Sequence, residues 1–153
     1  MRVLMVCLGN ICRSPLAEGI LKQKIGERSL DWIVDSAGTS GWHSGELPDP
    51  RSIQTARDNG IDIRDQRSRQ FRREDFERFD LILAMDSSNY SNIVSLADTE
   101  EDKNKVELIL NYSHKGLNMA VPDPYYEGGF QKVFDMLDDA VDKMIEEILN
   151  SQG

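Results

Sequence analysis

Between residues 7 and 14 the chain reads Cys-Leu-Gly-Asn-Ile-Cys-Arg-Ser, and Pro15 follows. Gly9 and Asn10 are residue types that tolerate left-handed backbone angles. A short turn containing them can therefore aim successive N–H groups at one point and form an anion-binding concavity. Arg13 adds a planar fork of donors that matches phosphate geometry. Pro15 suits the first position of a helix and Ser14 its N-cap, which would direct the positive end of a helix dipole at the same point. Cys7 would lie beneath a field that favours its thiolate as much as it attracts a phosphate, and a thiolate is a nucleophile. Alone, Cys7 reads more readily as a small buried hydrophobe at the end of a strand than as a nucleophile. The spacing of Cys, five residues, Arg and Ser, placed between a strand and a helix, is what argues for chemistry.

A thiolate that displaces an ester oxygen from phosphorus also needs an acid to protonate the leaving group. For a phenolate, whose conjugate acid has a pKa of about 10, that proton matters. The candidate is Asp123 in Val121-Pro122-Asp123-Pro124-Tyr125-Tyr126, where two prolines restrict the backbone. Such a string is ordinary turn chemistry by itself. It becomes an acid loop only if the fold brings it to the edge of the sheet where Cys7 lies.

The elements that must do this are legible as alternating apolar runs. Val3-Leu4-Met5-Val6 is a buried strand leading into Cys7, and Pro15 to Arg28 is a helix carried by Leu16, Ile20, Leu21 and Ile25. Trp32-Ile33-Val34 is a short second strand ending at Asp35-Ser36-Ala37-Gly38, with a Gly- and Ser-rich loop over Thr39 to Asp49. Pro50 opens a helix closed at Asn59-Gly60. Glu74 to Phe79 suggests a helical turn, whereas Arg67 to Phe71 is too polar to assign. Asp80 to Ala84 is a third strand, Ser87 caps a helix running through Leu96, and Val106 to Leu110 is a fourth strand. The closing helix carries Phe130, Val133, Phe134, Leu137, Val141, Met144, Ile145 and Ile148 on one stripe. This alternation implies parallel pairing with right-handed crossovers, a doubly wound α/β domain with helices on both faces of a four-stranded sheet. No repeat or linker divides it, so residues 1–153 read as one domain.

Composition excludes several classes. The net charge of −9 argues against an extended nucleic-acid surface. The arginines at 64, 67, 69, 72 and 73 are interleaved with Asp65, Glu74, Asp75 and Glu77 and read as a solvated mixed-charge face. No stretch approaches the roughly 20 apolar residues that cross a bilayer, and the N-terminus lacks a secretory pattern, so a cytoplasmic location is expected. Cys7 and Cys12 share one loop and staple nothing. With only His43 and His114 in addition, no metal-ligand spacing forms, so catalysis without metal or cofactor is expected. Cys12 could instead form a reversible disulfide with Cys7 and protect it from oxidation.

The string Cys-Leu-Gly-Asn-Ile-Cys-Arg-Ser-Pro near the N-terminus, with the later Asp-Pro-Tyr-Tyr, resembles the low-molecular-weight protein tyrosine phosphatase family over essentially the whole chain. The resemblance implies strand order 2-1-3-4 and two-step hydrolysis of phosphotyrosine through a cysteinyl-phosphate, with Cys7 as nucleophile, Arg13 as phosphate clamp and Asp123 as acid, then base. It further implies that Leu8, Gly9, Asn10, Ile11, Cys12 and Ser14 form the phosphate loop, with Ser14 donating to Cys7, Asn10 holding the strained turn and Ser36 supporting it. Leu8, Trp42, Tyr125 and Tyr126 would line an aromatic cleft beside His43. Where the family often has a histidine before its Arg-Gln pair, this chain has Gln66. The implied partner is a tyrosine-phosphorylated protein, and a monomer is expected, with weak dimerisation the alternative.

A protein-arginine phosphatase on the same scaffold is the runner-up. Its loops tend to carry Thr where this one has Ile11, whose bulk favours a flat phenyl phosphate over a phosphoguanidinium. Arsenate reduction would need resolving cysteines elsewhere, which this chain lacks. A phosphate-binding module without turnover is the reading from a different class, and it leaves the joint presence of Cys7, Arg13 and Asp123 unexplained.

Overall fold

In a computed structural model that describes residues 1–152, the first apolar run is strand β1 (Arg2–Cys7), at the centre of the molecule. Val3 to Val6 are completely buried because the strand has neighbours on both edges and helices on both faces. Pleating sends Val3, Met5 and Cys7 into one core and Leu4 and Val6 into the other. The remaining strands are β2 (Ile33–Gly38), β3 (Leu81–Ala84) and β4 (Val106–Leu108), all paired in parallel in the order β2-β1-β3-β4. This is the sheet that the family resemblance implies.

Helices α1 (Arg13–Glu27), α2 (Pro50–Asp58) and α7 (Phe130–Gln152) cover the first face. The α7 stripe of Val133, Phe134, Leu137, Val141, Met144 and Ile145 is buried, at about 1.5–3 kcal/mol for each large side chain. The short α3 (Asp75–Arg78) and α4 (Ser87–Val94) cover the opposite face with Phe71, Phe76, Phe79 and Ile93. Helices α5 (Glu100–Asn104) and α6 (Pro124–Glu127) complete the chain.

The structure corrects several boundaries. Helix α1 starts at Arg13, and its N-cap is Cys12 without any side-chain capping bond. Ser14 is not the cap, because its hydroxyl is engaged by Cys7 and Asn10. Strand β2 continues through Asp35-Ser36-Ala37-Gly38, since all six residues find register partners on β1. Helix α4 is capped by Asp86, which accepts from the Asn89 N–H, rather than by Ser87, and it ends at Val94. Strand β4 stops at Leu108, where a 3-10 turn over Ile109–Asn111 takes the chain off the sheet. Helix α5 had no apolar signal, because none of its residues is buried. The unassigned polar segment makes one bridge, Gly38 to Gln70, which fastens it along β2.

Gly38 has a steric role at the site. A Cβ there would lie 2.8 Å from the Leu8 carbonyl oxygen and 3.1 Å from the Asn10 nitrogen. Only glycine lets the loop after β1 rest against the end of β2.

Candidate active site

Where β1 ends, residues 8–12 wrap into a loop whose carbonyls point outward and are nearly all taken. Those of Cys7 and Leu8 accept from the N–H groups of Thr39 and Ser40, at 2.9 Å each. The Gly9 carbonyl accepts from the Ser68 hydroxyl at 3.0 Å, and that of Ile11 from the Asp49 N–H at 2.8 Å. Among the described residues, the N–H groups of Gly9, Ile11 and Cys12 find no protein acceptor. They are among the donors left for an anion.

Asn10 makes the turn possible. Its φ of 57° is left-handed, a conformation asparagine tolerates better than most side chains. The side chain then locks it: Nδ2 donates to Ser14 Oγ at 2.8 Å and Ser36 Oγ at 2.9 Å, and Oδ1 accepts from the Arg69 N–H at 3.0 Å. Ser36 donates in turn to Glu18 at 2.6 Å, a carboxylate whose pKa burial pushes up. Cys7 Sγ sits on this network, 3.0 Å from Ser14 Oγ and accepting from the Asn10 N–H at 3.3 Å.

Arg13 is buried, its side chain only 4% exposed. Nη1 donates to Asp86 Oδ2 at 2.8 Å and to the Val121 carbonyl at 3.0 Å, while Nη2 lies 3.7 Å from Asp123 Oδ2. Burial alone would lower its pKa, but Cys7, Asp86 and Asp123 more than offset this and the guanidinium stays charged. Asp123 is the N-cap of α6, Oδ1 accepting from the Tyr125 N–H at 3.1 Å. Its second oxygen is the one turned toward Arg13.

A cavity of about 230 Å³ opens above these groups. Its floor is Cys7, Leu8, Gly9, Ile11, Cys12 and Arg13; its walls are Trp42, His43, Asp123, Tyr125 and Tyr126. Asn10, Ser14 and Ser36 lie behind the floor as buried support. The two cysteines are both free thiols and differ in character: burial, then Asp49 and Cys7, push the Cys12 pKa up to about 12, so it stays protonated at neutral pH. His43 Nδ1 is 2.6 Å from Glu46 at the rim, and its ring covers Gly9. A larger groove of about 610 Å³ along β4 holds none of the predicted residues and no cysteine.

Gln66 points elsewhere. Its Nε2 donates to the Pro15 carbonyl at 3.0 Å, and the support of Asn10 comes from Ser14, Ser36 and Arg69. Arg69 is not part of a solvated mixed-charge face, as its run suggests, but pairs with Asp35 and with the buried Asp75. Sequence reasoning missed Asp86, Glu18 and Asp49. Each has an ordinary local reading, as cap or helix carboxylate, and only tertiary placement turns it toward the loop.

A family model described as "Low molecular weight phosphotyrosine protein phosphatase" matches residues 2–152. The low molecular weight protein-tyrosine-phosphatase of Streptomyces coelicolor is 42% identical over 145 residues, covering 91% of this chain and 88% of its own. A crystal structure of a protein tyrosine phosphatase from Entamoeba histolytica superposes with a TM-score of 0.92 at 38% identity, covering 100% of this chain and 99% of that one. An arginine phosphatase of Drosophila superposes with a TM-score of 0.90 at 34% identity, over 97% and 98% of the two chains.

Proposed function

The chain belongs to the low molecular weight phosphotyrosine protein phosphatase family, and from that premise we propose that it is a one-domain enzyme hydrolysing phosphotyrosine in proteins through a cysteinyl-phosphate on Cys7. The observation that carries this reading is the shared cavity: Cys7 on its floor beside Arg13, with Asp123 on the facing wall. In the first step the Cys7 sulfur attacks phosphorus, forming S–P as the P–O bond to the aryl group breaks. Arg13 and the inward N–H groups hold the equatorial oxygens. Asp123, protonated, gives its proton to the leaving phenolate. In the second step the Asp123 carboxylate takes a proton from water as its oxygen attacks phosphorus, S–P breaks, and inorganic phosphate leaves. Ser14 donates to the sulfur as it departs with the electron pair.

The aromatic wall supports a tyrosyl ring as substrate, with Ile11 closing the space beside the phosphate. Phosphoarginine is the second reading, favoured by the likeness to the Drosophila arginine phosphatase. The branched side chain of Ile11 argues against it, because it crowds a guanidinium more than a ring. A cytoplasmic location fits the free thiols of Cys7 and Cys12, and among the described residues no helix is long and apolar enough to cross a membrane. The proposed partners are tyrosine-phosphorylated proteins met by a monomer.

The test is phosphate release from para-nitrophenyl phosphate and from matched phosphotyrosine and phosphoarginine peptides, without added metal, by the wild type and by Cys7→Ser. Hydrolysis of the first two by the wild type alone is expected. Faster release from the phosphoarginine peptide would reverse the substrate assignment.

A further inference from the structure

Arg51, the second residue of α2, has no motif of its own, yet both surfaces of its guanidinium are used. Nε and Nη2 donate to the two carboxylate oxygens of Asp49 at 3.0 and 2.9 Å, and the Arg51 N–H adds a third bond at 2.8 Å. Over its plane, Cζ lies 5.4 Å from the centre of the Tyr125 ring and 4.8 Å from that of Phe130. Nη1 reaches the Tyr125 carbonyl at 3.4 Å. A flat fork bound edge-on by a carboxylate and covered by rings is an arrangement a lysine ammonium cannot reproduce.

With the Arg51 side chain half exposed, its ion pair with Asp49 adds little to stability. What it joins matters more. On one side, the Asp49 N–H holds the Ile11 carbonyl of the phosphate loop. On the other, Tyr125 is the residue whose N–H holds Asp123 Oδ1. A continuous tie thus runs from Ile11 through Asp49, Arg51 and Tyr125 to Asp123, passing around the cavity without crossing it. Arg13 fastens the same loop from below at Val121, on the N-terminal side of Asp123. The acid therefore stands between two tethers, each an arginine reaching a backbone carbonyl two residues away.

We propose that Arg51 is a positioning residue for the acid step, fixing the C-terminal flank of Asp123 against the phosphate loop so that the carboxyl meets the leaving oxygen. This rests on the phosphatase reading above. An acid held loosely matters little when the leaving group is stable as an anion, and much when it is basic. The proposal therefore concerns a slope rather than a level.

The experiment is kcat/KM for a series of aryl phosphates running from para-nitrophenyl to phenyl phosphate, with wild type, Arg51→Lys, Arg51→Met and Asp123→Ala. The lysine variant keeps the charge, and the methionine variant keeps the apolar stem. Both Arg51 variants should remain within about twofold of wild type on para-nitrophenyl phosphate yet lose about tenfold on phenyl phosphate, as a modest misplacement of a catalytic group predicts. Asp123→Ala should show the same tilt more steeply. A role confined to stability or substrate affinity would lower the whole series evenly, and parallel lines for both Arg51 variants would overturn the proposal while leaving the phosphatase reading intact. A wild type inactive on the entire series would remove that reading and the role of Arg51 with it.

Discussion

The floor of the cavity comes from one stretch of chain, Cys7 to Arg13, with Asn10, only 2% exposed, and the fully buried Ser14 behind it. The wall is Trp42, Tyr125 and Tyr126, drawn from two distant segments and left to solvent, Trp42 at 80% and Tyr126 at 77%. Both line one cavity of about 230 Å³, but they are held differently. Behind the floor stands a buried network through Ser14, Asn10, Ser36 and Glu18. The wall depends on ring contacts, the edge-on pair of Tyr125 and Tyr126 and the stacking of Arg51. The difference separates two tasks. In the proposed reaction, charge that develops in the transition state meets groups fixed by a hydrogen-bonded network, whereas the ring meets exposed aromatic side chains.

Substitutions in the support of the floor should cost more than substitutions in the wall. Asn10→Ala removes three hydrogen bonds and leaves a non-glycine residue in a left-handed turn. It should cost about 2–4 kcal/mol of stability, read by denaturant unfolding, and lower kcat/KM on para-nitrophenyl phosphate about a hundredfold as the N–H groups lose their aim. The Arg51 variants come next, with a loss confined to basic leaving groups. Trp42→Ala should change stability by no more than about 0.5 kcal/mol, because an exposed side chain packs little. Its effect belongs in KM for a phosphotyrosine peptide, raised a few-fold with kcat unchanged. Should Trp42→Ala destabilise the fold as Asn10→Ala does, or Asn10→Ala act on KM alone, the division between floor and wall would not stand.

The same division governs what could be read from the sequence. The floor was legible because strand, turn and helix follow one another and the chemistry is local: Cys7, Arg13 and Ser14 are brought to one place by a turn of a few residues. Strands β1 and β3 were legible for a related reason, since each carries a short continuous apolar run, whereas β2 and β4 contain Asp35, Ser36 and Glu107 and the strand order came from the family resemblance. Asp123 could be suspected only in company with that loop. Asp86, Arg51 and Gly38 escaped, as each has an unremarkable local role, in a helix cap, in the first turn of a helix and at a strand end, and only packing gives it a second one. Ser14 shows the converse error. Its type and position favoured a cap, but the sulfur of Cys7 and the amide of Asn10 compete for the same hydroxyl and win. Gln66 stands where the family often has a histidine, yet Arg69, Ser14 and Ser36 hold Asn10 while Gln66 bonds to Pro15.

In the proposed reaction, phosphorus passes through the sulfur of Cys7. The direct measurement is a denaturing quench soon after mixing enzyme with excess phosphotyrosine peptide, followed by mass spectrometry of the digested chain. Phosphate on the peptide containing Cys7, absent in Cys7→Ser and chased to inorganic phosphate with time, is the predicted result. Phosphate released at full rate with Cys7 never modified, or carried instead by His43 or Cys12, would contradict it.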